Sequence, residues 1–207
     1  MTCRRPLSSR TGPSLPSGIA AAGIAVCLLA IPAARAGPAP TAGTALRAAV
    51  RSALAAPTHG FRDRYGQSVW MHTMNARLER FVDNPARRRH LLLLVHGEAK
   101  RAGVPPSLVL AMINVESDFH RWAVSSAGAQ GLMQIMPFWL KVAGKPGDNL
   151  FDPRTNVRIG CTVLAYYLKR SHGDIAEALQ RYYGRRYGNR YEQKVLRLLS
   201  GRWYWKR

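Results

Sequence analysis

The stretch Ser107–Glu116, reading SLVLAMINVE, decides the fold class. Written as a helix it is apolar on nearly every side, and such a helix must be buried among other elements. Its last turn nevertheless carries an acid, Glu116. On a helix this residue lines up with Val109, Met112 and Ile113, so its carboxyl group emerges beside apolar side chains that disfavour the ionised form. The negative end of the helix dipole lies there too. Both effects raise the pKa, as a general acid that protonates a leaving oxygen requires. The residue alone leaves a second reading open, a structural glutamate bonded to backbone or to Arg121.

Outward from this helix the pattern stays helical. Upstream, Met71, Met74, Leu78 and Phe81 recur at helical spacing and mark one apolar face that starts near Trp70. Asp83-Asn84-Pro85 closes that helix and opens the next, with Asn84 as cap and Pro85 at the first position. Leu91, Leu94, Val95 and Ala99 form its buried stripe, and Gly103 ends it. Downstream, Asp152-Pro153 starts a helix with the stripe Val157, Cys161, Leu164 and Leu168. Asp174 followed by Glu177 opens a helix over 175–183, and 191–199 supplies the last one. No alternating strand, tandem repeat or second core is visible. The expected fold class is mainly α, with at most a small hairpin near residues 122–131.

The first residues read differently. Arg4, Arg5 and Arg10 precede an apolar run from Gly18 to Ile31 and then Ala34-Arg35-Ala36, the order of a secretory signal peptide. Residues 1–36 are expected to be a signal peptide cleaved after Ala36; the run is shorter than the roughly 20 apolar residues of a membrane span. Cys27 lies within the apolar run behind Val26, which argues against lipidation. Residues 37–68, rich in Ala, Pro and Gly, read as a flexible tether; a short helix over 45–54 fits, but nothing there looks able to make a core. The compact domain is expected over 69–207.

Export confines the protein to an oxidising compartment with one cysteine, Cys161, which sits on an apolar stripe and reads as core. The full chain carries 31 Lys and Arg against 11 Asp and Glu, and removal of the four arginines of residues 1–36 lowers its net charge from +20 to +16. Such a field favours anionic surfaces and polymers. With export, the expected site is the periplasm or cell envelope, with anionic envelope polymers as candidate partners and no nucleic acid. A solvated arginine-rich surface accounts for the charge equally well.

The segment after Glu116 narrows the chemistry. Ser125–Pro137, SSAGAQGLMQIMP, places small residues and two glycines where backbone must approach something closely, then a polar Gln134 between large apolar neighbours. Together with Glu116-Ser117 and Tyr182 in ALQRYY, this run resembles the catalytic domain of soluble lytic transglycosylases. The resemblance extends from about Leu91 to Leu199, and its central block is too long and ordered for a chance motif.

What the resemblance implies is a lysozyme-like helical domain that cleaves the bond between N-acetylmuramic acid and N-acetylglucosamine in peptidoglycan glycan strands, leaving a 1,6-anhydromuramyl end. It makes Glu116 the catalytic residue, acid first and base second. Ser125 would bond the Glu116 carboxyl or the substrate, Gln134 and Met136 would line sugar subsites, and Tyr182 would orient the carboxyl. Asn149 and the helix from Asn156 also look like family elements, with packing and capping as their simplest role. The family usually has Asn after the active-site tyrosine; this chain has Tyr183, followed by a basic stretch.

Most glycoside hydrolases need a second carboxylate, and the chain offers few. Asp152 and Asp174 read as caps, Glu177 as a capping-box partner and Glu192 as a charge on the last helix, while Asp118 would point away from Glu116 on a continuing helix. Only Asp148 is loosely placed. One carboxylate serving twice is the economical reading. The histidines show no metal-ligand spacing, and no nucleophile elbow or phosphate loop occurs, so neither metal nor cofactor is expected. The rivals are a hydrolysing muramidase on the same fold, an inactive wall-binding or secretion-apparatus module, and a nucleic-acid binder drawing on the tail from Trp203 to Arg207. A monomer is expected.

Overall fold

The computed structural model describes residues 43–57, 64–184 and 189–206, the side chains of 64–67 excepted. The signal peptide expected over 1–36 lies outside them. Eight helices occur among the described residues: α1 (Thr44–Ala55), α2 (Arg64–Leu78), α3 (Pro85–Ala102), α4 (Pro106–Ser117), α5 (Phe138–Ala143), α6 (Pro153–Arg170), α7 (Ile175–Tyr183) and α8 (Arg190–Ser200). The mainly helical expectation holds. The hairpin shrinks to isolated antiparallel bridges, Val124 with Gln130 and Gln130 with Ile135.

Local signals set the helix ends. Asn84, Asp152 and Asp174 each accept a hydrogen bond from the backbone N–H three residues on, at 2.8–3.0 Å, and so cap α3, α6 and α7. Gly103 ends α3 in the left-handed region. α4 is the apolar centre: Ser107 through Asn114 are all buried, between α3 and α8. α6 packs on α1, α3 and α7. At one edge Phe81 and Phe119 close around Trp203, which is fully buried and donates from Nε1 to Asn114 Oδ1 at 3.1 Å. Trp203 therefore offers no face to a nucleic-acid base.

The tether expected over 37–68 needs correcting where it is described. α1 is a part of the core: Leu46, Val50 and Ala53 are buried, with Leu46 and Val50 in the main cluster. Two large side chains one turn apart in an Ala-rich segment were too weak a signal to distinguish a core helix from a spacer. Its end is secured by Arg158 of α6, which donates from Nη1 to Ala56 O at 2.7 Å and pairs through Nη2 with fully buried Glu98 at 2.7 Å. Arg101 completes this network, donating from Nε to the other Glu98 oxygen at 2.6 Å. α5, only six residues long, falls below the length at which a period shows in sequence.

Candidate active site

The site is assembled where α4 stops. Its capping residue Asp118 and the next residue, Phe119, both adopt left-handed φ, 46° and 65°, a conformation uncommon for residues other than glycine. Asp118 is held there by Asn114, whose Nδ2 donates to Oδ1 at 2.6 Å. This turn redirects the chain just after Glu116, which sits in the last turn of α4. Ser117 ties that end to the following loop, its hydroxyl bonded to Leu132 O at 2.9 Å and Ile113 O at 3.2 Å.

The loop, 123–136, is stitched to itself. Gln130 and Ile135 exchange both backbone hydrogen bonds at 2.9 Å, and Gly131 N–H donates to Ala123 O at 2.9 Å. Asn156 of α6 fastens it from below. This fully buried amide accepts from Met133 N–H at 2.8 Å and donates to Gln130 O at 2.8 Å and Leu150 O at 2.9 Å, so a polar group in the core leaves neither donor nor acceptor idle. Two glycines make the approach possible. A Cβ on Gly131, already at φ 75°, would strike the Asn156 amide, and one on Gly160 of α6 would strike the Met133 sulfur.

Each expected site residue now has a place. Glu116 is half-buried, and Tyr191, at the start of α8, donates its hydroxyl to Oε1 at 2.7 Å. Burial pushes the carboxyl up from its ordinary 4.5 to about 8, although the Tyr191 bond acts in the opposite direction. The alternative reading of a glutamate held by Arg121 does not apply, since that guanidinium lies over the exposed Trp122 ring, 4.3 Å from its centroid.

Tyr182 does not hold the Glu116 carboxyl, contrary to the expectation drawn from its motif. Its hydroxyl donates instead to Met133 O at 3.0 Å, bracing the loop. Burial, and after it the nearby Glu116 charge, push the Tyr182 hydroxyl well above its ordinary pKa. Ser125 is likewise not bonded to Glu116. Its Oγ accepts from Ala129 N–H at 3.1 Å and shapes the turn. Gln134, strained at φ 48°, gives its amide nitrogen to Gly131 O at 2.9 Å and Ala123 O at 3.2 Å. Met136 is half-buried against the core.

Three further carboxylates have partners of their own, although the buried Oε2 of Glu192 has none. Asp118 is bonded to Asn114, and Asp148 Oδ2 accepts from Lys145 N–H at 2.7 Å. Glu192 is no surface charge as its sequence position suggested: it is 4% exposed, accepting from Gln180 Nε2 at 3.0 Å. Cys161 is a buried free thiol.

Tyr191, which holds the Glu116 carboxyl, and Asn156, which fastens the loop, are the residues of the candidate site whose contacts the sequence did not reveal. A signal for each was present. Tyr191 precedes Val195 and Leu198 by four and seven residues, so it lies on the inward stripe of α8, and an inward hydroxyl needs a partner. Asn156 stands next to the buried stripe of α6, where an amide must find its full set of bonds.

Residues 94–195 match the family model described as a transglycosylase SLT domain. Among curated proteins, the chain is 39% identical over 87 residues to a membrane-bound lytic murein transglycosylase C of Mannheimia succiniciproducens, covering 38% of this chain and 24% of that one. It is 37% identical over 107 residues to the protein of the same name from Yersinia pestis, covering 47% and 30%. Among solved structures, an inactive mutant of lytic transglycosylase Slt from Pseudomonas aeruginosa aligns at 28% identity with a TM-score of 0.39, over 52% of this chain and 18% of that one. The 70 kDa soluble lytic transglycosylase from Escherichia coli aligns at 23% identity with a TM-score of 0.37, over 67% and 24%. The chain spans less than a third of the length of any of these proteins.

Proposed function

We propose, on the match of residues 94–195 to the family model described as a transglycosylase SLT domain, that the chain is a peptidoglycan lytic transglycosylase acting through Glu116 alone. The observation that carries the reading is the Glu116 carboxyl in the last turn of α4, its Oε1 held by Tyr191 and its pKa raised by burial to about 8. A carboxylic acid with that pKa keeps its proton at neutral pH. Because the Tyr191 hydroxyl donates to Oε1, the proton belongs on Oε2, free to be given away.

The reaction follows from that arrangement and the resemblance. Glu116 Oε2–H protonates the glycosidic oxygen as the bond from the muramyl C1 to that oxygen breaks. The carboxylate so formed takes the proton of the C6 hydroxyl while that oxygen bonds to C1, closing the 1,6-anhydro ring and restoring the acid. The Tyr191 hydrogen bond favours the carboxylate and so eases the first transfer. Ser125, Gln134, Met136 and Tyr182 belong to the loop and its brace, and we assign them to shaping the sugar subsites. Gln134 would act there through its remaining carbonyl oxygen, and Tyr182 by holding Met133.

We place the protein at the cell envelope, exported through residues 1–36, with peptidoglycan glycan strands as substrate and anionic envelope polymers as secondary partners. The names of the related membrane-bound murein transglycosylases and the net charge of +20 support that placement. Among the described residues, no helix is long and apolar enough to cross a membrane. The test is mass analysis of fragments released from purified peptidoglycan by the wild-type chain and by Glu116→Gln. Anhydromuramyl ends from the wild type alone are expected. Reducing ends would identify a hydrolysing muramidase, and equal release by both proteins would remove Glu116 from the chemistry.

A further inference from the structure

Tyr183 closes α7 and Tyr191 opens α8, and their rings lie face to face, with centroids 4.4 Å apart and planes 6° from parallel. Tyr191 is 6% exposed and Tyr183 37%, so Tyr183 stands on the solvent side of the ring that carries the Glu116 hydrogen bond. A stacked aromatic pair resists tilting of either ring. A phenol that tilts by a fraction of an ångström at its ring moves its hydroxyl off a 2.7 Å hydrogen bond.

We propose that Tyr183 is a positioning residue for Glu116, acting through Tyr191: the stack holds the Tyr191 ring where its hydroxyl stays on Oε1 and leaves Oε2 to carry the transferable proton. The inference rests on the proposed transglycosylase reading for its catalytic consequence, but its structural content stands apart from it. It also gives a use to the tyrosine that this chain has where the resembled family usually has Asn.

The titratable groups that face Glu116 are Tyr191 of α8 and Tyr182 of α7, with Cys161 and Tyr167 of α6 behind Tyr182. Among the described residues no ion pair reaches the Glu116 carboxyl. The stack gives a change at Tyr183 a route to the Glu116 titration through the Tyr191 bond.

The experiment compares the full chain with its Tyr183→Phe, Tyr183→Ala, Tyr191→Phe and Tyr183→Ala/Tyr191→Phe variants. Two quantities are read: the Glu116 carboxyl titration by carbon NMR, and kcat against pH on purified peptidoglycan. Tyr183→Phe keeps the stack and should superimpose on the wild type. Tyr183→Ala should move the carboxyl titration upward, because a bond that favours the carboxylate is weakened, and should lower kcat by roughly two- to tenfold. The shift should be smaller than that of Tyr191→Phe, and the double variant should show no further shift beyond Tyr191→Phe. An unmoved titration in Tyr183→Ala, a Phe variant that behaves like Ala, or an additive double variant overturns the proposal. A wild-type chain that releases no anhydromuramyl product would sink the functional reading instead, while the titration would still decide the role of Tyr183.

Discussion

Tyr191 follows Glu116 by 75 positions, yet its hydroxyl lies 2.7 Å from Glu116 Oε1 and is the hydrogen bond that orients the acid. Burial and this bond act against each other on one carboxyl, and burial prevails, leaving a pKa of about 8. A group set in this way keeps its proton across the neutral range and loses it only in mild alkali.

The pH dependence of glycan cleavage should show it. The reactive form is the protonated acid, so kcat should hold through neutral pH and fall above about 8, the limb belonging to Glu116. Initial rates of turbidity loss by purified peptidoglycan, measured from pH 5 to 10, give the curve. A limb near pH 4 to 5 would mean that the carboxyl is hydrated and ordinary.

The same shift predicts a stability effect that needs no activity. The folded pKa is raised, so wild-type stability is fully present below about 4.5, where both states are protonated, and declines as pH rises toward 8, because unfolding then releases the proton. Glu116→Gln cannot ionise and still offers Oε1 to Tyr191. Its advantage over the wild type should grow across that window to the order of 2–4 kcal/mol. Urea unfolding of both proteins at pH 4.5, 6.5 and 8.5 measures the difference.

Asn156→Ala should loosen the loop from beneath. It leaves Met133 N–H and the Gln130 and Leu150 carbonyls without the amide that joins them. A loss of roughly 3 kcal/mol is expected, since buried polar groups lose their partners together. Denaturant titration reads the stability. Cleavage should fall as well, with KM raised, if the loop shapes the sugar subsites.

Leu46→Ala tests whether α1 belongs to the domain. Leu46 is 1% exposed, so its truncation should cost about 2–4 kcal/mol, whereas exposed Arg47→Ala should change stability by less than about 0.5 kcal/mol. Equal midpoints for the two variants would return this segment to the status of a spacer.

Sequence by itself determined what depends on near neighbours. Helix stripes, the caps at Asn84, Asp152 and Asp174, and the stop at Gly103 are set within three or four residues, so they could be read from spacing. Glu116 was visible for the same reason, an acid in a helix apolar on all sides. Its setting was not. Tyr191 rather than Tyr182 holds the carboxyl, Asn156 fastens a loop that precedes it by more than twenty positions, Arg158 secures the end of α1, and Glu192 is buried beside Gln180. Each of these depends on which helix faces which, and on the distance and direction at which a side chain arrives. Hydrogen bonds act over about 3 Å, so their partners are chosen only after the helices have packed. The tertiary structure decided which acid keeps its proton and which tyrosine holds it.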